Sequence, residues 1–386
     1  MLATSLALAT ILIPLSFGYR TWAGPHTPVY TDIAVGREQR NFGYYVPASY
    51  DPSTPTPLLF MFHGATGNNS EASGGSAENG YYGWQTSADE NGFIVLFPKK
   101  ACCSGFNLWS LSGHSSDLDF VDEMIHWATS NYNIRTTHIF TTGHSYGGYF
   151  SYCVARWRGD KIAAFGEHSG GLSRIPVPTG PSPTPTLRGI LLHAVDDGLV
   201  DYSGTQNLYD ALLANGHVVY DDGIGVDGII EVDGWGPNNH RYRMVHNQAQ
   251  WDFFMAQAAL VDRDSDGMPD VWEADHGLDT NTNDASFDVD GDGANNYAEY
   301  IANTHPTDDA SVFTLNLVAE ANVTVSWDSS INRTYGLWSA TDVSVENPWS
   351  PVPQMTNVPG TGGTMTYISP PGKSPVFFKA AASLNE

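Results

Sequence analysis

Basic residues are scarce in this chain. Lys+Arg number 17 against 42 Asp+Glu, a formal net charge of −25. No broad cationic face is available, which excludes a nucleic-acid groove. Cysteine is nearly absent as well. Cys102, Cys103 and Cys153 have no zinc-ligand spacing. In an oxidising compartment they leave two readings open: one disulfide joining Cys153 to a member of the vicinal pair, or buried free thiols. Long apolar runs are missing beyond residue 17, so no membrane anchor is expected in the mature chain. The one such run, 2–17 (LATSLALATILIPLSF), is uncharged, interrupted by Pro14 and shorter than the ~20 residues a bilayer requires. Small residues follow at Ser16 and Gly18, and again at Thr21 and Ala23. This pattern reads as a signal peptide over 1–18, or as far as 23, and predicts a secreted, extracellular product.

What is present is ample apolar material. Hydrophobic residues make up 41% and aromatics 12% of 386 residues, enough to bury a large core and fill two or three domains. Residues 30–46 alternate apolar and polar, as in a strand or hairpin. The runs 57–62 (PLLFMF), 93–97 (FIVLF) and 189–193 (GILLH), with 137–142, predict strands buried on both faces. Helical spacing recurs near 117–130, 147–157, 206–214 and 247–259. Strands alternating with helices predict an α/β domain with a mainly parallel sheet over 28–260. The Pro/Thr-rich stretch 174–187 interrupts this pattern without ending it and reads as a surface loop. The texture changes at residue 261 to an Asp/Asn/Gly-rich segment, 261–311. It changes again over 312–386 to short alternating segments (VTVSW, TYGLWSA, TMTYIS) that predict a small β-sandwich.

Chemistry concentrates in 137–150, THIFTTGHSYGGYF, where Gly143-His144-Ser145-Tyr146-Gly147 forms G-x-S-x-G between a predicted strand and a predicted helix. That context is a nucleophile elbow: small neighbours let strand and helix close up while the Ser145 hydroxyl is lifted off the backbone. A serine needs a base, and the base needs an orienting carboxylate, which follow in the chain order Ser, acid, His. Asp196, Asp197 and Asp201 lie just past the 189–193 strand. His240, in a Gly/Pro/Asn loop before the last helix, is the preferred base over His246, which sits at the helix start. An oxyanion needs two donors. The Tyr146 N–H follows the nucleophile, and the Ala65 N–H follows Gly64 in the loop after the 57–62 strand.

Together these segments resemble the secreted polyhydroxybutyrate depolymerase and feruloyl esterase group of α/β hydrolases. The likeness covers about residues 28–260, through YYVPASYDPSTPTPLLFMFHGATGN, ENGFIVLFP, the vicinal CC before NLW, SDLDFVDEMI, YNIRTTHIFTTGHSYGGYFSY and HAVDDGLVDYSG. The resemblance implies the α/β-hydrolase fold and hydrolysis of carboxylic esters. Its HG-x-x-D register selects Asp197 as the triad acid, with Asp196 second, and it places Thr66 and Trp109 on the substrate cleft, with packing beside the cysteines the other reading of Trp109. The group's His usually follows Gly and precedes Trp, whereas Asn239 and Arg241 flank His240.

The acidic segment carries two D-x-D-x-D-G frames with Glu at position twelve, 26 residues apart. Calcium takes six to eight oxygens. The first frame offers Asp262, Asp264, Asp266, the Met268 carbonyl, Asp270 and Glu273. The second offers Asp288, Asp290, Asp292, the Ala294 carbonyl, Asn296 and Glu299. The frames resemble thrombospondin type 3 and dockerin-like calcium repeats, which implies structural Ca2+; the predicted catalytic chemistry needs no cofactor. In the last domain, Trp327, Tyr335, Trp338, Trp349 and Tyr367 are either core or a strip for a polysaccharide or polyester surface. The expected partner is a polymeric ester substrate: a polyhydroxyalkanoate-type polyester or a feruloylated polysaccharide. An acetyl-xylan esterase, a peptidase of the same fold and a noncatalytic surface-binding protein are the alternatives.

Overall fold

The computed structural model describes residues 28–65, 82–100, 108–171, 186–221, 229–232, 239–320, 322–370 and 377–384. The leader, Thr66, Cys102 and Cys103 lie outside them. Strands β1 (Val29–Val35) and β2 (Glu38–Tyr45) form the expected hairpin, turning at Gly36 with φ +58°. Then come β3 (Thr56–Phe62), α1 (Trp84–Asn91), β4 (Ile94–Pro98), α2 (Ser116–Asn131), β5 (Ile134–Gly143), α3 (Tyr146–Trp157), β6 (Ala164–His168) and β7 (Arg188–His193). Helix α4 (Tyr202–Ala214), the short strands β8 (Val218–Val219) and β9 (Ile230–Glu231), and α5 (Asn247–Ala258) complete the body.

The sheet runs β1-β2-β4-β3-β5-β6-β7-β8, with β9 also on β7. Strand β2 pairs antiparallel with β1 and β4, and every later pair is parallel. This order, with a nucleophile elbow after β5, is the α/β-hydrolase fold. Covering both faces explains the apolar runs. Along β3, Leu58, Phe60 and Phe62 join the core beneath α2, α3 and α4, while Leu59 and Met61 join the core beneath α1 and α5.

One buried charge ties the loops at the sheet's end. Asp117, in the first turn of α2, bonds Arg40 of β2 at 2.9 Å, the Lys100 ammonium at 2.6 Å and the Ser110 N–H at 2.7 Å. Cys153 lies buried in α3 as a free thiol, and burial pushes its ionisation up. Among the described residues no helix is long and apolar enough to cross a membrane.

The acidic segment carries two single-motif helices, α6 (Asp270–His276) and α7 (Asn296–Ala302). The C-terminal region has two antiparallel sheets. One is β10 (Asn316–Ala319), β11 (Val323–Asp328) and β15 (Thr364–Ile368). The other pairs β12 (Arg333–Ala340) with β13 (Ser350–Pro351), β14 (Val358–Pro359) and β16 (Phe377–Leu384). Trp327 and Tyr335 are core residues between the sheets, with Val325, Leu337, Val352 and Met365. Trp338 and Trp349 are half-buried, and the Lys379 ammonium lies 5.5 and 5.0 Å from their rings.

Candidate active site

Ser145 sits at φ 57°, ψ −127°, between β5 and α3. A non-glycine residue holds that strained conformation only where its surroundings fix it. Here the Ser145 N–H donates to the His168 carbonyl at 2.8 Å, and the Gly147 N–H donates to the His144 carbonyl at 2.9 Å. The flanking glycines are required by contact. A Cβ on Gly143 would lie 2.3 Å from the Gly147 carbonyl oxygen, and one on Gly147 would lie 2.2 Å from that of Phe62.

The structure brings Asp197 and His240 together. His240 Nδ1 lies 2.7 Å from Asp197 Oδ2, with the Asp197 side chain fully buried. Donation from Nδ1 leaves Nε2 as the proton acceptor. Asp197 Oδ1 accepts the N–H groups of Leu199 and Val200 at 2.8 and 2.9 Å, fixing the carboxylate plane. Asp196 is exposed and bonds Asn239 instead, and Asp201 caps α4 through the Ser203 N–H. The His240 ring lies against His144, the serine's neighbour, at a centroid distance of 4.9 Å. Burial holds His144 and His168 well below the usual imidazole range, so both are neutral packing partners there.

A buried support stands behind Asp197, with His193, a strand residue read from the sequence as core or supporting, at its centre. His193 Nε2 lies 3.3 Å from Asp197 Oδ2 and 3.1 Å from the Val200 carbonyl, while its Nδ1 lies 2.7 Å from Thr205 Oγ1. Thr205 in turn lies 3.3 Å from the Glu167 carboxyl, which also accepts the Gly171 N–H at 2.8 Å. Complete burial raises the Glu167 pKa to about 7. Strand β6 (AFGEH) thus places an ionisable group inside the sheet, a polar pattern that hid the strand from a search for apolar runs.

The expected oxyanion donors flank the serine. Tyr146 opens α3, and a Cβ on Gly64 would lie 3.3 Å from Ser145 Cβ. His63 Nε2 accepts the Lys100 N–H at 3.3 Å, so its Nδ1 donates to the Gly64 carbonyl at 2.8 Å. Burial lowers the His63 pKa to about 4, consistent with that neutral tautomer. With the Gly64 carbonyl held, the trans peptide sends the Ala65 N–H the opposite way.

Trp109 corrects the cleft expectation. It is 2% exposed, stacks on Phe150 at 4.8 Å and donates Nε1–H to the His63 carbonyl at 2.9 Å. It braces the end of β3 from within the core.

The acidic loops share three backbone-to-carboxylate bonds at equivalent positions. Asp262 and Asp288 accept the Gly267 and Gly293 N–H groups; Asp264 and Asp290 accept those of Asp266 and Asp292; Asp266 and Asp292 accept those of Met268 and Ala294. Both sixth-position glycines have φ near +100°, at +94° and +101°. The ninth positions depart from expectation. Asp270 is taken up by Arg263, through its guanidinium and its N–H, and Asn296 turns its amide nitrogen to Asp284, 3.0 Å away, with its own Oδ1 buried and unpartnered. Glu273 is fully buried, with neither carboxylate oxygen partnered, and one oxygen each of Asp264, Asp290, Asp292 and Glu299 is also buried without a partner. A divalent cation with oxygen ligands fits such a donor set.

The fold defines the class: an α/β-hydrolase-fold chain, in which the Asp197–His240 pair lies close to the elbow that carries Ser145. No family model matches the chain. A bifunctional acetylxylan esterase/xylanase from Neocallimastix patriciarum is 31% identical over 137 residues, 35% of this chain and 19% of that protein. Feruloyl esterase C from Emericella nidulans is 26% identical over 176 residues, 46% of this chain and 62% of that protein. The chain therefore spans less than two thirds of either relative. Among solved structures, a thermostable esterase aligns at 20% identity over 60% of this chain and 63% of its own, with a TM-score of 0.45.

Proposed function

We propose that this chain is a secreted serine esterase that hydrolyses carboxylic esters on a plant-type polysaccharide, with feruloyl esters as the leading substrate class. The observation that carries the reading is the Asp197–His240 bond at 2.7 Å beside an elbow that presents Ser145 at φ 57°. His240 Nε2 takes the Ser145 proton as Oγ attacks the ester carbonyl, then returns it to the leaving alcohol. The N–H groups of Tyr146 and Ala65 hold the oxyanion. Water, activated by the same histidine, releases the acid from the acyl-enzyme. The two named relatives, a feruloyl esterase and an acetylxylan esterase, support a polysaccharide ester over an aliphatic polyester. The uncharged leader supports export.

Calcium belongs to this reading as a structural ion. Asp262, Asp264, Asp266, Glu273 and the Met268 carbonyl would hold one ion, and Asp288, Asp290, Asp292, Glu299 and the Ala294 carbonyl a second. When bound, the ions would neutralise carboxylates that otherwise repel one another. The half-buried Trp338 and Trp349 are the candidate contact of the C-terminal domain with polymer.

The test compares initial rates on methyl ferulate, acetylated xylan and a 3-hydroxybutyrate oligomer, in calcium, with Ser145→Ala as the blank. The expected order puts ferulate first. A dominant rate on the oligomer would replace the polysaccharide reading with a polyester one. Wild-type rates equal to the blank on all three would leave a noncatalytic binding protein.

A further inference from the structure

The two acidic loops share one backbone design but are completed differently. In the first, Asp266, Glu273 and Asp284 bring carboxylate oxygens within 4.8 Å of one another, and Asp262, Asp264 and Asp266 form an overlapping group of the same size. Asp284 lies outside the twelve-residue frame, in the segment that joins the two loops. That segment is fastened to the first loop, because the Ala285 N–H donates to Asp266 Oδ2 at 3.2 Å. Glu273 is the independent sign of a missing ligand: it is fully buried with both oxygens unpartnered, and it faces Asp266 and Asp284. A buried carboxylate without a partner is costly, and a cation placed among these oxygens removes the cost.

We propose that Asp284, in place of Asp270, completes the first calcium site, and that the second, lacking such a residue, is the weaker and depends on the first. The inference rests on the calcium reading above. One oxygen from each of Asp262, Asp264, Asp266 and Asp284, the Met268 carbonyl and both Glu273 oxygens fall within the coordination number calcium takes. Asp270 is unavailable because Arg263 occupies it. Asp284-Ala285-Ser286 repeats as Asp309-Ala310-Ser311, but Asp309 is exposed and outside the cluster of Asp288, Asp290 and Asp292. Glu299 also spends one oxygen on the Thr304 hydroxyl, at 3.3 Å.

The dependence runs through the joining segment. Asn296, the first residue of α7, donates its side-chain amide to Asp284 Oδ1 at 3.0 Å and to the Asp284 carbonyl at 3.1 Å. Its N–H donates to the Phe287 carbonyl at 2.8 Å, and the Tyr297 N–H to that of Ala285 at 3.0 Å. Fixing Asp284 on the first ion therefore fixes the start of the helix that carries Glu299.

Calcium titration of the full chain after chelation, by calorimetry and by native mass spectrometry, tests this. The wild type should bind two ions whose affinities differ at least tenfold. Asp284→Asn should weaken the tighter class at least thirtyfold and the second ion with it. Asp270→Asn should leave both within about threefold. Asn296→Ala, which keeps every carboxylate, should spare the first ion and weaken the second. If Asp270→Asn abolishes the tight class while Asp284→Asn leaves it intact, the twelve-residue frame is the true ligand set and the inference falls. If the wild type binds no calcium, the calcium reading itself falls. Far-ultraviolet circular dichroism of each calcium-loaded variant separates lost ligation from lost folding.

Discussion

Asp197 and Glu273 are both carboxylates removed from water, and they are treated in opposite ways. Both oxygens of Asp197 are engaged, by His240 on one side and by two backbone N–H groups on the other. Neither oxygen of Glu273 has a partner. The first carboxylate is finished by the fold alone, so its geometry is ready before substrate arrives. The second has no partner among the described residues, and on the calcium reading proposed above an ion would finish it. Preorganisation serves catalysis because transition-state charge must be met without delay. An unfinished shell serves binding, because the energy withheld in folding is recovered when the ligand arrives.

Four measurements sharpen or break that contrast. The largest effect belongs to Ser145→Ala, which should lower kcat by roughly 10⁶-fold with little change in melting temperature, since the centre stands without its hydroxyl. Retained hydrolysis would break the site assignment. Asp197→Asn should lower kcat by roughly 10⁴-fold through the wrong His240 tautomer. A loss no larger than tenfold would mean that the carboxylate does not orient the base.

Chelation should act on the other region. An ion held at a thousandfold its Kd contributes about 4 kcal/mol, so EDTA should lower the calorimetric transition of the acidic segment; an unchanged thermogram would refute calcium there. The smallest effect concerns Glu167. Burial raises its pKa to about 7 from the ordinary 4.5, so its neutral form is favoured in the fold. The resulting stabilisation is full below about pH 4.5 and fades as pH rises through 7, by roughly 3 kcal/mol in all. In saturating calcium, Glu167→Gln should remove that slope from denaturant midpoints measured between pH 5 and 8. An unaltered slope would place the titration elsewhere.

Much of this was legible in the sequence where one physical rule governs one segment. Strands β3, β4 and β7 announce themselves as apolar runs because both sheet faces are covered. The elbow and the order Ser145, Asp197, His240 follow from local turn chemistry and chain direction. Strand β6 escaped because its Glu and His are buried by partners far along the chain, Thr205 and Arg243. Trp109 read as a cleft residue because sequence carries no sign of what stacks on it. Asp270 fitted the calcium frame by position, but its neighbour Arg263 folds back onto it, while Asp284 enters from outside the frame.

The attachment of the acidic segment has a consequence for endurance. Arg135, at the start of β5, pairs with Asp275 of α6 at 3.2 Å, and Arg188, at the start of β7, reaches the Leu260 carbonyl at 3.0 Å. Ser145 lies past the opposite end of β5, whose Ile134–Gly143 runs alongside the seven residues Thr56–Phe62 of β3, a span of about 20 Å. Wear at one end need not reach the other. On the calcium reading proposed above, the chain stripped of its ions should start at full speed and fail early, so that calcium in the surroundings would set its working lifetime and leave its pace alone.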